Sequence, residues 1–333
     1  MNTVAVIGAG SWGTTVASIA AARVETVLWA RRRSLAEAIN ERRANPDYLP
    51  EFTLPPALRA THDLADAVSG AGTIVMAVPS HGFRDVFTPI AGLIADDTPV
   101  LSLTKGIEQE SLRTMTEIVA ELAPGHERTV VGVLTGPNLA VEVIAGQPAA
   151  AVVAMRDPEA ARRLQELLMG PSFRVYTNDD VTGCELGGAL KNVMAIASGM
   201  SDGLGFGDNT RATLLTRALA ELTRLGVALG GRPETFAGLA GMGDLIATCS
   251  SDKSRNHRVG YALALGKSLE EIVSEMRMVA EGVKTTESVV ALAERAGVEM
   301  PIAGHVDMVL RGEVTPRDAV LRLMTRQAKA ESV

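Results

Sequence analysis

Residues 3–14, TVAVIGAGSWGT, carry a continuous β-branched apolar run straight into three glycines spaced GxGxxG. No other stretch constrains the fold as tightly. A short run with no polar alternation reads as a strand buried on both faces. The Ala-rich residues 11–22 that follow read as a helix. Strand, glycine turn and helix in that order are the context in which GxGxxG becomes a dinucleotide fingerprint. Gly8 permits the tight turn, Gly10 lets a pyrophosphate approach the backbone, and Gly13 lets the helix pack close to the sheet. The free N–H groups near Ser11 and Trp12 then face the anion. Without a ligand, the same residues make a tight strand-to-helix turn.

The alternation continues. Strand-like segments recur at VETVLWA (24–30), TIVMAVP (73–79), PVLSLTK (99–105), TVVGVLT (129–135), AAAVVAM (149–155) and FRVYT (173–177), with helix-like stretches such as 110–122 and 158–168 between them. This spacing predicts a doubly wound parallel sheet, Rossmann-like in class. After about residue 180 the strands stop, and segments such as CELGGALKNVMAIASGMSDG and NTRATLLTRALAELTRLGVALG show helical periodicity. The chain is long enough for two cores at 333 residues. The expected division is an α/β dinucleotide-binding domain over 1–185 and an all-α substrate domain over 186–333. Residues 183–200 are expected on the hinge side of the cleft between them.

Composition removes several function classes. Net charge is −7 and aromatics are only 3%, which argues against nucleic acid or an anionic membrane as partner. Cys184 and Cys249 belong to no CxxC or His/Cys cluster, so neither a disulfide framework nor a metal is expected. No apolar run reaches the roughly 18 residues of a membrane span. The N-terminus has no basic segment ahead of its apolar run, and a cytoplasmic location is expected.

The end of the second strand reports on the cofactor. An NAD site places Asp or Glu there to hold the ribose hydroxyls. Here Trp29-Ala30 runs into Arg31-Arg32-Arg33. A guanidinium pairs with a 2′-phosphate, so NADP(H) is the expected preference, with Arg31 or Arg32 as partner. The other reading is an exposed basic run that opens a helix.

Polar groups gather where strands end: VPSH (78–81), SLTKG (102–106) with Lys105, and LTGPN (134–138). Ligands of open α/β sheets bind at those ends. Lys191 sits in GGALKNVMAIA, among residues that would desolvate its ammonium and lower its pKa into a range useful for proton transfer. The alternative is a lysine lying along a helix surface with its head in water, and both readings stay open. Asp244, in GLAGMGDLIATC, is flanked by apolar residues and needs a cationic partner if buried. Ser254, Arg255 and Asn256 combine hydroxyl, guanidinium and amide in an anion-binding set, or else start a helix with a surface arginine. A 3-hydroxy-acid dehydrogenase and a non-enzymatic NADP-binding module are further readings of the same residues.

Ordered motifs cover nearly the whole chain: GAGSWGT (8–14), NPDYLP (45–50), VPSH (78–81), TKGIE (104–108), GPNLAVEV (136–143), GGALKNV (187–193), SDGLGFGDNTRA (201–212), LAGMGDL (239–245), SRNHR (254–258) and VAEGVKT (279–285). In them the chain resembles the bacterial NAD(P)-dependent sn-glycerol-3-phosphate dehydrogenase family. The resemblance implies interconversion of dihydroxyacetone phosphate and sn-glycerol 3-phosphate for phospholipid synthesis, by a homodimer with NAD(P)H as cofactor. It implies Lys191 as the proton-transfer residue. It places Lys105, Gly136, Asn138, Lys191, Asp244, Ser254, Arg255 and Asn256 at substrate contacts. It places Ser11, Trp12, Arg31, Arg32, Lys105, Ala140, Arg255, Val279 and Glu281 at cofactor contacts beside the three glycines. One departure stands out: Asn138 occupies a position where the family carries a hydroxyl.

Overall fold

The computed structural model describes residues 3–276, 280–328 and 330–331. Its sheet contains β1 (Thr3–Ile7), β2 (Glu25–Trp29), β3 (Leu58–Thr61), β4 (Thr73–Met76), β5 (Val100–Ser102), β6 (Val131–Thr135), β7 (Ala149–Ala154) and β8 (Phe173–Asn178). The strand order is β3-β2-β1-β4-β5-β6-β7-β8. The helices α1 (Ser11–Ala21), α2 (Arg33–Arg42), α3 (Leu64–Val68), α4 (Phe83–Phe87), α5 (Met115–Leu122), α6 (Ala140–Ile144) and α7 (Pro158–Leu168) lie between them. Order reverses at β1, which pairs with β2 on one side and β4 on the other. That switch point opens a crevice beyond the carboxyl ends of β1 and β4.

Three details depart from the sequence-based expectation. β3 is an additional strand that the apolar pattern does not reveal; LRAT is short and carries an exposed Arg59. The helix expected over 110–122 starts only at Met115, behind a Thr114–Glu117 capping box. And β7 runs antiparallel to β6, so the sheet is mainly rather than wholly parallel. The β6–β7 connection holds just the five-residue α6, and β7 returns as the direct antiparallel neighbour of β6 with no crossover of the sheet. Through α7, β8 then pairs parallel to β7.

Beyond the sheet come α8 (Val181–Gly203), α9 (Asp208–Ala228), α10 (Pro233–Ala237), α11 (Asp244–Cys249), α12 (Arg255–Ala264), α13 (Leu269–Glu275), α14 (Glu281–Ala296), α15 (Pro301–Leu310) and α16 (Pro316–Met324). A second apolar core fills this part, separate from the cores on the two faces of the sheet. α8 threads its centre and is buried all round along most of its length. The sequence pattern predicts a one-sided apolar stripe; burial on every face is what a small-residue, apolar helix permits. Its glycines make this possible. A Cβ on Gly199 would lie 1.9 Å from the carbonyl of His257, and one on Gly260 would lie 1.9 Å from that of Ile196. α8 and α12 therefore meet backbone to backbone.

That contact makes a prediction. Gly260→Ala should destabilise the protein by roughly 1–3 kcal/mol or more, because neither backbone can yield cheaply. A Cβ on Gly304, inside α15, would meet nothing within 4 Å, and Gly304→Ala should stabilise by about 0.5–1 kcal/mol. Urea denaturation of both variants checks the opposite signs.

Candidate active site

The turn after β1 has the geometry of a pyrophosphate cradle. Gly8 has φ +125°, and a Cβ there would press on the carbonyl of Ala77 at 2.5 Å. A Cβ on Gly13 would lie 2.0 Å from the carbonyl of Gly8. Nothing lies within 4 Å of a Cβ on Gly10, so the space before the second glycine is open. α1 starts there with no side chain capping its first N–H groups. An open, uncapped helix start with a glycine in front of it fits a dinucleotide pyrophosphate. The NPDYLP motif braces this turn: buried Asn45 donates Nδ2 to the carbonyl of Ala9 at 3.0 Å and to Thr14 Oγ1 at 2.8 Å. Trp12 packs edge-on against Phe173 at 6.2 Å, and its buried Nε1–H finds no protein acceptor among the described residues. Ala140 lies against the same helix, its carbonyl accepting from Thr15 Oγ1 at 3.4 Å.

The structure separates the two candidate 2′-phosphate arginines. Arg32 is paired with Asp47 of the NPDYLP loop, and Arg33 with Glu37 at 2.8 Å. Arg31 is exposed and makes no hydrogen bond or ion pair with a described residue. Burial, then the charges of Lys284 and Arg31, hold the His81 imidazolium below its ordinary pKa. Next to it, Glu281 accepts from Ser80 Oγ at 2.5 Å and from Ser80 N at 3.3 Å. Val279 lies outside the described residues.

Three chain segments deliver a charged cluster to the carboxyl ends of β5 and β6. Lys105, just after β5, donates Nζ to Asp244 Oδ2 at 2.7 Å and to the carbonyl of Gly136 at 3.0 Å. Lys191, on α8, stands 2.9 Å from Asp244 Oδ1 and donates to Thr248 Oγ1 at 2.6 Å. Thr248 in turn donates to Asp244 Oδ1 at 3.3 Å. One carboxylate, 2% exposed, is thus shared by two ammoniums. Burial pulls the Lys105 ammonium down to about 8, with Asp244 opposing and Lys191 assisting. A lysine free along a helix surface is ruled out for Lys191, which is 5% exposed.

The glycines ahead of Asp244 have a structural job. Residues Leu239–Gly243 form a π-turn in which Gly243 N donates to the carbonyl of Gly238 at 3.1 Å. A Cβ on Gly241 would meet the carbonyl of Phe236 at 2.2 Å. The glycines let the chain double back on α10 and so set Asp244 at the start of α11. Gly188 serves the same cluster, since a Cβ there would crowd Thr135 Oγ1 at 2.8 Å.

Around the cluster the remaining candidates divide. Ser254 caps α12, accepting from His257 N at 3.3 Å. Arg255 projects from the first turn, exposed and without a hydrogen bond or ion pair among described residues. Asn256 braces: Nδ2 donates to Asn192 Oδ1 at 2.9 Å, and Oδ1 accepts from Gly282 N at 2.9 Å. Asn192 donates onward to the carbonyl of Lys105 at 2.9 Å. The amide of Asn138 is buried with neither end partnered, an expensive state unless a ligand satisfies it. Thr248, Thr135 and Asn192 escape sequence reasoning. Thr248 was findable, one turn after Asp244 on a helix.

Cys184 and Cys249 are both buried and free, and burial pushes each thiol up to about 12. No group of three metal-ligating side chains occurs among the described residues, and none of their helices is long and apolar enough to cross a membrane.

A glycine cradle at the switch point, with a lysine from the sheet and a buried lysine from the helical part held on one carboxylate, defines a two-domain nicotinamide-dependent dehydrogenase. Two family models, NAD-dependent glycerol-3-phosphate dehydrogenase N-terminus and C-terminus, match residues 3–161 and 180–321. The chain belongs to the NAD-dependent glycerol-3-phosphate dehydrogenase family. It is 56% identical over 321 residues to glycerol-3-phosphate dehydrogenase NAD(P)+ 2 of Sphingopyxis alaskensis, covering 96% of each chain. With the Streptomyces coelicolor enzyme of the same activity name it shares 51% over 329 residues, 98% of this chain and 97% of that one. The crystal structure of glycerol-3-phosphate dehydrogenase from Coxiella burnetii superimposes with a TM-score of 0.92 at 39% identity, covering 98% and 99% of the two chains.

The shared carboxylate carries its own prediction. Asp244→Asn leaves two buried ammoniums uncompensated and should cost about 3–5 kcal/mol at pH 7. Lys105, whose ammonium burial already pulls down to about 8, loses the charge that opposes that fall. The penalty of its buried charge is complete below its folded-state pKa and shrinks as pH rises from there toward the unfolded value of roughly 10.4, so the deficit should be smaller at pH 10. Denaturant titrations at the two pH values measure it; equal deficits would contradict the pairing.

Proposed function

We propose that this chain interconverts dihydroxyacetone phosphate and sn-glycerol 3-phosphate, supplying phospholipid synthesis, with Lys191 as proton donor and acceptor. The observation that carries the assignment is the single buried carboxylate of Asp244 holding Lys191 and Lys105 together. The cofactor would lie on the Gly8, Gly10 and Gly13 turn, with Ser11, Trp12, Ala140 and Glu281 beside it. Bound NAD(P)H supplies the hydride that reduces the ketone carbon.

Negative charge develops on the carbonyl oxygen as the ketone is reduced. Lys191 stabilises that charge and gives the oxygen its proton; in reverse, its amine takes the hydroxyl proton. Asp244 and Thr248 fix Nζ of Lys191 from 2.9 and 2.6 Å. Lys105, anchored by Gly136 and Asp244, adds positive charge without having to reorient. Two ammoniums on one carboxylate leave a net positive site, suited to an oxyanion and to a phosphate ester. Arg255 would grip the phosphate with the Ser254 hydroxyl, whose hydrogen remains unused. Binding energy from that remote group orients the reacting carbon. Asn256 contributes one spare Nδ2 hydrogen, and the unpartnered Asn138 amide offers both a donor and an acceptor to the substrate.

The proposed division of labour assigns the cofactor to residues 1–185 and the substrate chemistry to 186–333, with Lys105, Gly136 and Asn138 reaching across. A cytoplasmic homodimer is the accompanying expectation, resting on family membership.

Lys191→Ala should lower turnover by about a hundred- to ten-thousand-fold while NADPH still binds. Stopped-flow absorbance with dihydroxyacetone phosphate and fluorescence titration of NADPH separate the two effects, and near-normal turnover would refute the role. For cofactor choice, NADP(H) preference is proposed through Arg31, since Asp47 already holds Arg32. Arg31→Ala should reduce the NADPH-to-NADH ratio of kcat/KM about tenfold, and Arg32→Ala should reduce it less. An enzyme that prefers NADH before and after both changes would sink the idea.

A further inference from the structure

Away from the catalytic cleft, a cavity of about 230 Å³ opens among α5, α8 and α14. Its position follows from the topology. Val131, the first residue of β6, lines it, whereas Gly136 and the lysine cluster lie past that strand's carboxyl end. Arg128 precedes β6 and Arg156 follows the antiparallel β7, so both arrive at the same, opposite edge of the sheet. Arg295 reaches the cavity from the last turn of α14.

Its polar groups are unbalanced. Both carboxylates are already engaged: Glu117 accepts from Thr114 N at 2.8 Å, and Glu185 accepts from Thr116 N at 3.0 Å and Thr116 Oγ1 at 2.6 Å. Burial raises the Glu185 carboxyl pKa, with the hydrogen bonds from Thr116 opposing. Arg128, Arg156 and Arg295 make no hydrogen bond or ion pair with any described residue. Three arginines from three separate segments therefore line one cavity without a partner among the described residues. Leu112 on the wall has φ 57°, a left-handed backbone unfavourable for so large a side chain. Such strain persists where surrounding structure holds it, and it concentrates at ligand sites. The volume exceeds that of a bare oxyanion, and Leu186 and Leu292 give the cavity an apolar side.

We propose that this cavity binds a small organic polyanion, with Arg128, Arg156 and Arg295 on its charged groups and its carbon skeleton against Leu112 and Leu292. Guanidiniums meet phosphate and carboxylate in the same bidentate manner, so both phosphate esters and polycarboxylates share the required chemistry. The site is built by both halves of the chain. It shares α8 with Lys191, and Glu185 lies six residues, roughly 9 Å of helix, from it.

Isothermal titration of the full chain with inorganic pyrophosphate and with citrate, in saturating NADPH so that the Gly8–Gly13 pyrophosphate cradle is filled, tests the proposal. The catalytic phosphate grip is a competing anion site, so Arg255→Ala is titrated in parallel with the triple variant Arg128→Ala/Arg156→Ala/Arg295→Ala. The expected result is binding of at least one probe that persists in Arg255→Ala and weakens about tenfold or more in the triple variant. All three arginines are exposed, so an unchanged melting curve for the triple variant verifies its fold. The tighter of the two probes distinguishes a phosphate ester from a polycarboxylate. No binding of either probe, or binding that survives the triple change, overturns the proposal.

Discussion

Everything in the cleft depends on one carboxylate between two ammoniums. Asp244 ties Lys105, at the end of the sheet, to Lys191, in the middle of the helical core. Burying three charges carries a desolvation penalty that their mutual attraction only partly offsets. A dry hydrophobic triad would be easier to fold. Under the proposed mechanism, what the charged arrangement supplies is orientation: positive charge fixed before reaction, in a site where it needs no solvent rearrangement to act. The neighbouring structure serves that placement. The π-turn aims Asp244, the glycines of α8 bring Lys191 to it, and Gly136 fixes Lys105 from the sheet side.

A second layer of neutral hydrogen bonds locks the elements that carry these charges. The chain from the carbonyl of Lys105 through Asn192 and Asn256 to Gly282 N spans the sheet edge, α8, α12 and the start of α14. Gly282 is needed there, since a Cβ would stand 2.6 Å from the carbonyl of Asn192. Outside this neutral layer, Ser80 donates to the Glu281 carboxylate and links the end of β4 to α14. The cofactor turn has its own brace in Asn45. Amides and hydroxyls suit this task because each can be fully satisfied without adding charge to a site whose electrostatics are already set.

Much of this architecture is legible in the sequence because buried strands leave a local signature. β1, β2, β4, β6 and β7 are apolar runs bounded by turn residues, and GAGSWG, set between a buried-type strand and a helix, marks the switch point. β3 is hidden because four residues with an exposed arginine carry no periodicity. The reversal of β7 is hidden because nothing in the strand's own residues records which way it runs beside β6. Lys191 illustrates the deeper limit. Its apolar neighbourhood suggests burial, but its partner is 53 positions away on α11, and Lys105 and Asp244 are 139 positions apart. Charge pairing across such separations leaves no mark in local pattern. The resemblance to the dehydrogenase family bridges that gap at Lys105, Lys191 and Asp244. It leaves Thr248 and the Arg32–Asp47 pair to the structure.

The two proposed phosphate sites use helix starts in different ways. At α1 no side chain occupies the first N–H groups, and Gly10 leaves open space before them. A pyrophosphate there is held by backbone, whose donors neither titrate nor vary with side-chain identity. At α12 Ser254 already caps the helix, consuming one of those donors. A phosphate there must rely more on the guanidinium of Arg255. Backbone recognition suits the part of a cofactor that never changes. Side-chain recognition suits the group that distinguishes one substrate from another, since a single substitution can remove or redirect it. On this reading the chain fixes its cofactor by conformation and selects its substrate by charge.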